Sequence, residues 1–192
     1  MSFAISGYQQ EVVRCMITHM RARLHIPAVV SVILAMSFGV TTSADEFWSL
    51  DSAIDDNSGE AVAFLRQESR ESIRDESGKN SLYPVFEFRC IPSRDPGIRF
   101  QIDWRRFISS FNTEVGFRVD GGKALWLKLG VDQTNRITLS KSSKDVNKLI
   151  QLFGDATTVE LEIAPYSEPS VFVRFDISSF NSAVETLNER CI

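Results

Sequence analysis

Histidine is almost missing from this chain. Of 192 residues only His19 and His25 are histidine, so none follows residue 25. Ser-His-Asp and Cys-His catalysis are therefore excluded beyond that point, as is a zinc site of imidazole and thiolate. A phosphate-cradling glycine loop is also lacking. "DGGK" at 120–123 is too short for one and lies between two strand patterns, so it reads as a hairpin turn. There is no internal repeat and no long low-complexity run. Basic charge is not in excess either: the net charge is −4 and the pI near 5.3, which argues against a nucleic-acid partner. Only one long apolar run occurs, residues 26–40. Its 15 positions, interrupted by Pro27, Ser31 and Ser37, fall short of the about 20 that a membrane-spanning helix needs.

That run fits a secretory leader over residues 1–44. Arg14, Arg21 and Arg23 precede it, and "TTSA" follows, with Thr42 and Ala44 at the cleavage offsets and Asp45 as the new N-terminus. The stretch before the run is long for a leader, and a start at Met16 or Met20 gives a more usual one. After cleavage no membrane span remains. Residues 45–192 keep 18 Lys and Arg against 24 Asp and Glu, a net charge of −6. Both histidines and Cys15 leave with the leader, so Cys90 and Cys191 remain. An even pair in an exported chain reads as a disulfide. Closing a loop of about 100 residues would stabilise by about 4.7 kcal/mol on the loop-entropy argument.

From Leu82 onward the dominant hydrophobic period is two, the mark of half-buried strands. Phe86, Phe88 and Cys90 share one face while Glu87 and Arg89 point away. Ile98, Phe100, Ile102 and Trp104 repeat the pattern, with Arg99, Gln101 and Asp103 outward. Val115, Phe117 and Val119, then Leu125, Leu127, Leu129 and Val131, flank the Gly121–Gly122 turn. "RITLS" is a short fifth run. The period then becomes helical: Val146, Leu149, Ile150 and Phe153 follow a cap at Ser142 or Ser143 and end at Gly154. Two further strands put Val159, Leu161 and Ile163, then Val171, Val173, Phe175 and Ile177, inward. In the last segment Ser178 or Ser179 stands at a cap, and Phe180, Val184, Leu187 and Cys191 line one helical face. Two cysteines that each face the core are candidates for one another. Residues 45–81 read as an acidic N-terminal segment with a short edge strand at 61–65 followed by a solvated loop. Residues 82–192 form the β-rich core domain.

Few residues point to chemistry. Glu160 and Glu162 share a strand face at roughly 6.5–7 Å, a separation that overlaps that of paired-carboxylate glycosidases, but alternation makes both the solvated side of a strand. Asp51, Asp55, Asn57 and Gly59 do not keep the register of a calcium loop. No catalytic residue, metal or cofactor is implied. The outward charges Arg89, Arg99, Asp103, Arg118, Asp120, Arg174 and Asp176 mix both signs and fit a wet sheet face. Trp126 and Phe172 fall outward among them, which suits a docking or sugar-stacking surface.

Several pieces, taken in order, resemble the VasI-like (TagO) accessory proteins of bacterial type VI secretion. They are the leader, "IDDN" at 54–57, "FEFRC" at 86–90, "IDWRRFIS" at 102–109, "FRVDGG" at 117–122, "APY" at 164–166 and "RFDISSFNSAVETLNERC" at 174–191. Ser179–Phe180 departs from the small residue usual there. The resemblance implies an envelope-located accessory without catalytic residues.

The fold expected is a β-rich α+β domain: a twisted antiparallel sheet of about seven strands with two short helices and the Cys90–Cys191 disulfide. A small sandwich and a partly closed barrel remain open. The function expected is that of a non-enzymatic accessory protein, periplasmic or secreted from a Gram-negative bacterium, acting by protein–protein contact with an envelope or secretion-machine protein. Its binding face would carry Arg118, Asp120, Trp126 and Arg174. The alternatives are a module for cell-wall glycan and an inhibitor or immunity protein against an envelope-directed toxin.

Overall fold

Alternation gives strands their two faces, and here the inner face is aromatic. The computed structural model of the chain describes residues 47–55, 59–93, 97–140 and 142–191. The expected leader, Asp56–Asn57 of the acidic segment and Arg94–Pro96 of the predicted turn lie outside the described residues. The elements are β1 (Ser49–Ile54), β2 (Ala61–Glu68), β3 (Ile73–Arg74), β4 (Ser81–Leu82), β5 (Val85–Cys90), β6 (Ile98–Asp103), β7 (Thr113–Val119), β8 (Leu125–Val131), β9 (Ile137–Ser140), α1 (Ser143–Phe153), β10 (Thr158–Ile163), β11 (Val171–Asp176) and α2 (Phe180–Glu189).

Nine strands form one antiparallel sheet in the order β1-β2-β5-β6-β9-β8-β7-β10-β11, and β3 pairs with β4 as a separate hairpin. Strand β8 is the corner. Its first five residues pair with β7, while Gly130 and Val131 pair with Leu139 and Thr138 of β9. The nine strands form one sheet, not a two-sheet sandwich; it curves far enough to set Phe86 of β5 5.3 Å from Phe175 of β11, yet it does not close.

The N-terminal segment differs from expectation. β2 is an interior strand between β1 and β5, and the expected solvated loop contains the β3–β4 hairpin. The reason lies in its burial: Val62 and Phe64 are buried on one side of β2, Ala63 and Leu65 on the other. A strand covered on both faces loses the alternation that announces strands.

Both helices pack on the inner face. Ser142 caps α1, its hydroxyl accepting from Asp145 N–H at 3.4 Å, and Gly154 ends it. Ser179 precedes α2 with φ of 60° and makes no side-chain cap bond, so that predicted cap is present in position only. From α1 and α2, Phe153 and Phe180 enter a ring cluster with Phe86, Phe88, Phe100, Phe117 and Phe175, all essentially inaccessible to solvent. Phe86 is its hub, within 6.0 Å of Trp48, Phe88, Phe100, Phe153 and Phe175. Tilted and edge-on geometries prevail, as the ring quadrupole favours. The two core tryptophans satisfy their N–H groups: Trp104 donates to Thr138 Oγ1 at 2.9 Å and Trp48 to the Ser178 carbonyl at 3.1 Å.

Cys191 lies in the turn just past α2, its N–H donating to the Asn188 carbonyl at 3.0 Å. It is bonded to Cys90, which is fully buried at the end of β5, with 5.6 Å between the Cα atoms. The bridge joins residues 101 apart. Replacing Cys191 by Ser should lower the free energy of unfolding by about 2–5 kcal/mol, read from urea denaturation against the oxidised parent. Equal midpoints would show that the bridge contributes no stability.

Candidate functional site

With the inner face filled, polar groups collect on the outer one, and register decides which of them meet. In the C-terminal half, Arg118 of β7, Glu160 of β10 and Arg174 of β11 stand in one cross-strand row. Arg118 Nη1 lies 3.1 Å from Glu160 Oε1, and Arg174 Nη2 lies 3.2 Å from Glu160 Oε2. Glu160 is thus shared between two guanidinium groups and is not poised as a free carboxylate beside Glu162.

The next row runs Trp126–Gly116–Glu162–Phe172 across β8, β7, β10 and β11. Trp126 keeps 47% and Phe172 50% of their surface exposed. The indole lies over Gly116: its Cη2, Cζ2 and Cε2 atoms would be 3.0–3.2 Å from a Cβ there. A glycine inside a strand weakens it and marks a close approach, and here it makes room for the ring. Two aromatic groups therefore stand on an otherwise charged surface.

Asp120 does not join these rows. It sits in the turn after β7 with φ of 46°, and its carboxylate accepts from the Thr158 N–H at 2.8 Å, the Thr157 N–H, and both threonine hydroxyls. The bond from the Thr158 N–H, followed by those from Thr157, holds its pKa below the usual carboxylate range. Its work is to fasten the β7–β8 turn to the start of β10. Of the four residues expected on the binding face, Arg118, Trp126 and Arg174 are brought together and Asp120 is diverted.

Three features escaped sequence reasoning. Arg106 is buried, donating to the Arg74 carbonyl at 2.6 Å and to Glu168 Oε1 at 2.7 Å, so it ties the β3–β4 hairpin to the β10–β11 loop. Beside that loop, Phe111 and Tyr166 form an exposed edge-to-face pair with centroids 6.1 Å apart. On the N-terminal half of the outer face, Glu87 is only 4% exposed although alternation places it on the solvent side. It forms ion pairs with Arg66 and Arg89 and accepts from Gln101 Nε2 at 2.9 Å. These side chains border a cavity of about 290 Å³. Alternation could assign Glu87 to a face but not foretell that the arginines around it would cover it.

Among the described residues, no group of three or more His, Cys, Asp or Glu side chains could hold a metal ion, and no helix is long and apolar enough to cross a membrane. Compared with known protein families, curated proteins and solved structures, the chain matches none.

The β3–β4 hairpin depends on one carboxylate. Lost solvation opposes the charge of Asp75, but hydrogen bonds from the Asn80 and Ser77 side chains and from the Asn80 and Lys79 N–H groups outweigh it and bring the pKa to about 2. A folded pKa below the unfolded value of about 3.9 means that the folded state binds fewer protons. The stabilisation is complete above about pH 4 and is lost as pH falls toward 2. The difference in Tm between the parent and Asp75→Asn should therefore be constant from pH 7 to pH 5 and shrink below pH 4. A difference independent of pH down to 2 would contradict this assignment.

Proposed function

We propose that this protein is an exported, non-enzymatic accessory of the Gram-negative envelope, of the VasI-like kind that serves type VI secretion, and that it docks a protein partner on the outer face of β7, β8, β10 and β11. The observation that carries the reading is the row Trp126–Gly116–Glu162–Phe172, in which two aromatic side chains stand half-exposed and the indole of Trp126 lies over a bare glycine. Tryptophan with flanking arginine is the composition of interface hot spots. Arg118 and Arg174 are already oriented by Glu160, so little side-chain freedom remains to be lost on docking. The bridge between Cys90 and Cys191 suits an oxidising compartment, and the apolar run at 26–40 with its flanking arginines supports export.

One observation favours a second reading, a cell-wall glycan module. An indole lying against its own sheet presents its other side to solvent, as a sugar-stacking platform does.

The test is crosslinked capture from solubilised envelope of the source bacterium, read by mass spectrometry, with the parent and Trp126→Ala/Phe172→Ala as baits. Both positions are exposed, so the variant should keep its fold. Capture of secretion-machine components by the parent, reduced about tenfold or more in the variant, is the expected result. Capture of a single toxin or hydrolase would replace it with an inhibitor role. Sedimentation with purified cell wall and no captured protein would favour the glycan.

A further inference from the structure

The geometry points to a second site, separate from the docking face: a pocket on the outer face of β2, β5 and β6 that binds a small ligand through its carboxylate or phosphate group. Register builds it. Across these strands the rows read Phe64–Arg89–Arg99 and Arg66–Glu87–Gln101. Glu87 takes the Nε–H of Arg66 on one carboxylate oxygen, and the Nε–H of Arg89, at 3.0 Å, together with Gln101 on the other. Both guanidinium groups also lie over the Phe64 ring, 4.2 and 4.9 Å from its centroid. Each arginine is thus held by its Nε and by its flat face. Among the described residues, the terminal amino groups of Arg66 and Arg89 have no hydrogen-bond partner. Those paired nitrogens are the groups that bind a carboxylate or phosphate in bidentate fashion.

Charge supports the same reading. Arg99 stands directly opposite Arg89 and, among the described residues, forms no ion pair and has no hydrogen-bond partner for its buried Nε. Like charges facing one another across strands are destabilising, and a buried unmatched donor adds a cost of its own. An oxyanion lodged at these guanidinium groups relieves the repulsion. Three arginines, Arg66, Arg89 and Arg105, line the cavity against two acids, Glu87 and Asp103, and Arg99 stands behind Arg89, in a chain whose net charge is −4. Neither acid is free to take a cation. Glu87 already accepts three donors, while Asp103 holds the Arg105 side chain at 3.2 Å and its N–H at 2.8 Å. A volume of about 290 Å³ lies at the small end for ligand sites and suits one compact acid. Val85 and Ile137 supply an apolar wall for the rest of the ligand.

Thermal shift and calorimetry on the oxidised protein test this, with inorganic phosphate and glucuronate as probes, glucose as the neutral control and ionic strength held constant with chloride. At least one anion should raise Tm saturably where glucose and chloride do not. A response to phosphate alone identifies a phosphate ligand, and a response to glucuronate alone a carboxylate ligand. Arg89→Gln should weaken binding about tenfold. Because that change also removes a partner of Glu87, Arg99→Gln is the second variant. It breaks no ion pair among the described residues, so without anion its Tm should equal or exceed the parent's, while the anion-induced rise falls at least about threefold. The proposal is overturned if neither anion acts beyond chloride, or if both variants respond as the parent does.

Discussion

Phe153 and Phe180 arrive from different helices, meet at 5.5 Å, and between them touch Phe86, Phe88 and Phe117 on the sheet. An antiparallel sheet with one apolar face needs a second layer over it, and these rings are where that layer attaches. The rest of the architecture serves the contact. The bend at β8 brings β7 and β10 round to the same helices that cover β2 and β5. Trp48 holds the entry to α2 through the Ser178 carbonyl, and the disulfide holds its exit. Helix α2 has only 10 residues, a length that is marginal without tertiary packing. Fixed at both ends, it keeps Phe180, Val184 and Leu187 against the sheet.

Filling the inside with rings has a consequence for function. The rings fill the inner face, where the buried hydroxyls of Thr138 and Ser140 stand opposite Ile102 and Phe100, so the side chains able to recognise a partner are displaced to the outer face and to the loops. There the bent sheet presents two dissimilar surfaces on one continuous ladder of strands. The C-terminal half alternates its charges, arginine–glutamate–arginine, and adds two exposed aromatics. The N-terminal half buries a glutamate beneath arginines.

Much of the fold was legible because alternation in β5 through β8, the helical period in α1, and the stripe ending at Cys191 are direct imprints of burial. Legibility failed where burial is not one-sided. β2 carries Val62 and Phe64 outward and Ala63 and Leu65 inward, all buried, so no period marked it as an interior strand. Arg106 lies in a loop, where no period exists to report its burial. Trp126 and Phe172 were readable as outward, and Arg118 with Arg174 as their neighbours, since period two gives the face directly. Asp120 was not separable from them. It directly follows β7, and only the left-handed turn conformation reveals that its carboxylate serves the chain itself.

The two halves of the outer face meet the same electrostatic demand in opposite ways. Strand residues that face water are readily charged, and neighbours across a ladder are best given opposite signs. Arg118, Glu160 and Arg174 follow that rule, and their row is electrostatically settled in the free protein. Arg89 and Arg99 break it, side by side, although Gln101 and Glu87 stand one row away. The nearest acid is occupied in orienting Arg89 and Arg66 rather than in neutralising Arg99. An arrangement that consumes a buried carboxylate to hold two guanidinium groups in place, and leaves a third cation without an ion pair among the described residues, costs stability in the folded chain. Solubility alone asks only for charge in water, which the alternating half supplies without that cost. Among the described residues that positive charge has no counterpart, and its physical complement in the reading proposed above is an anion from outside the chain.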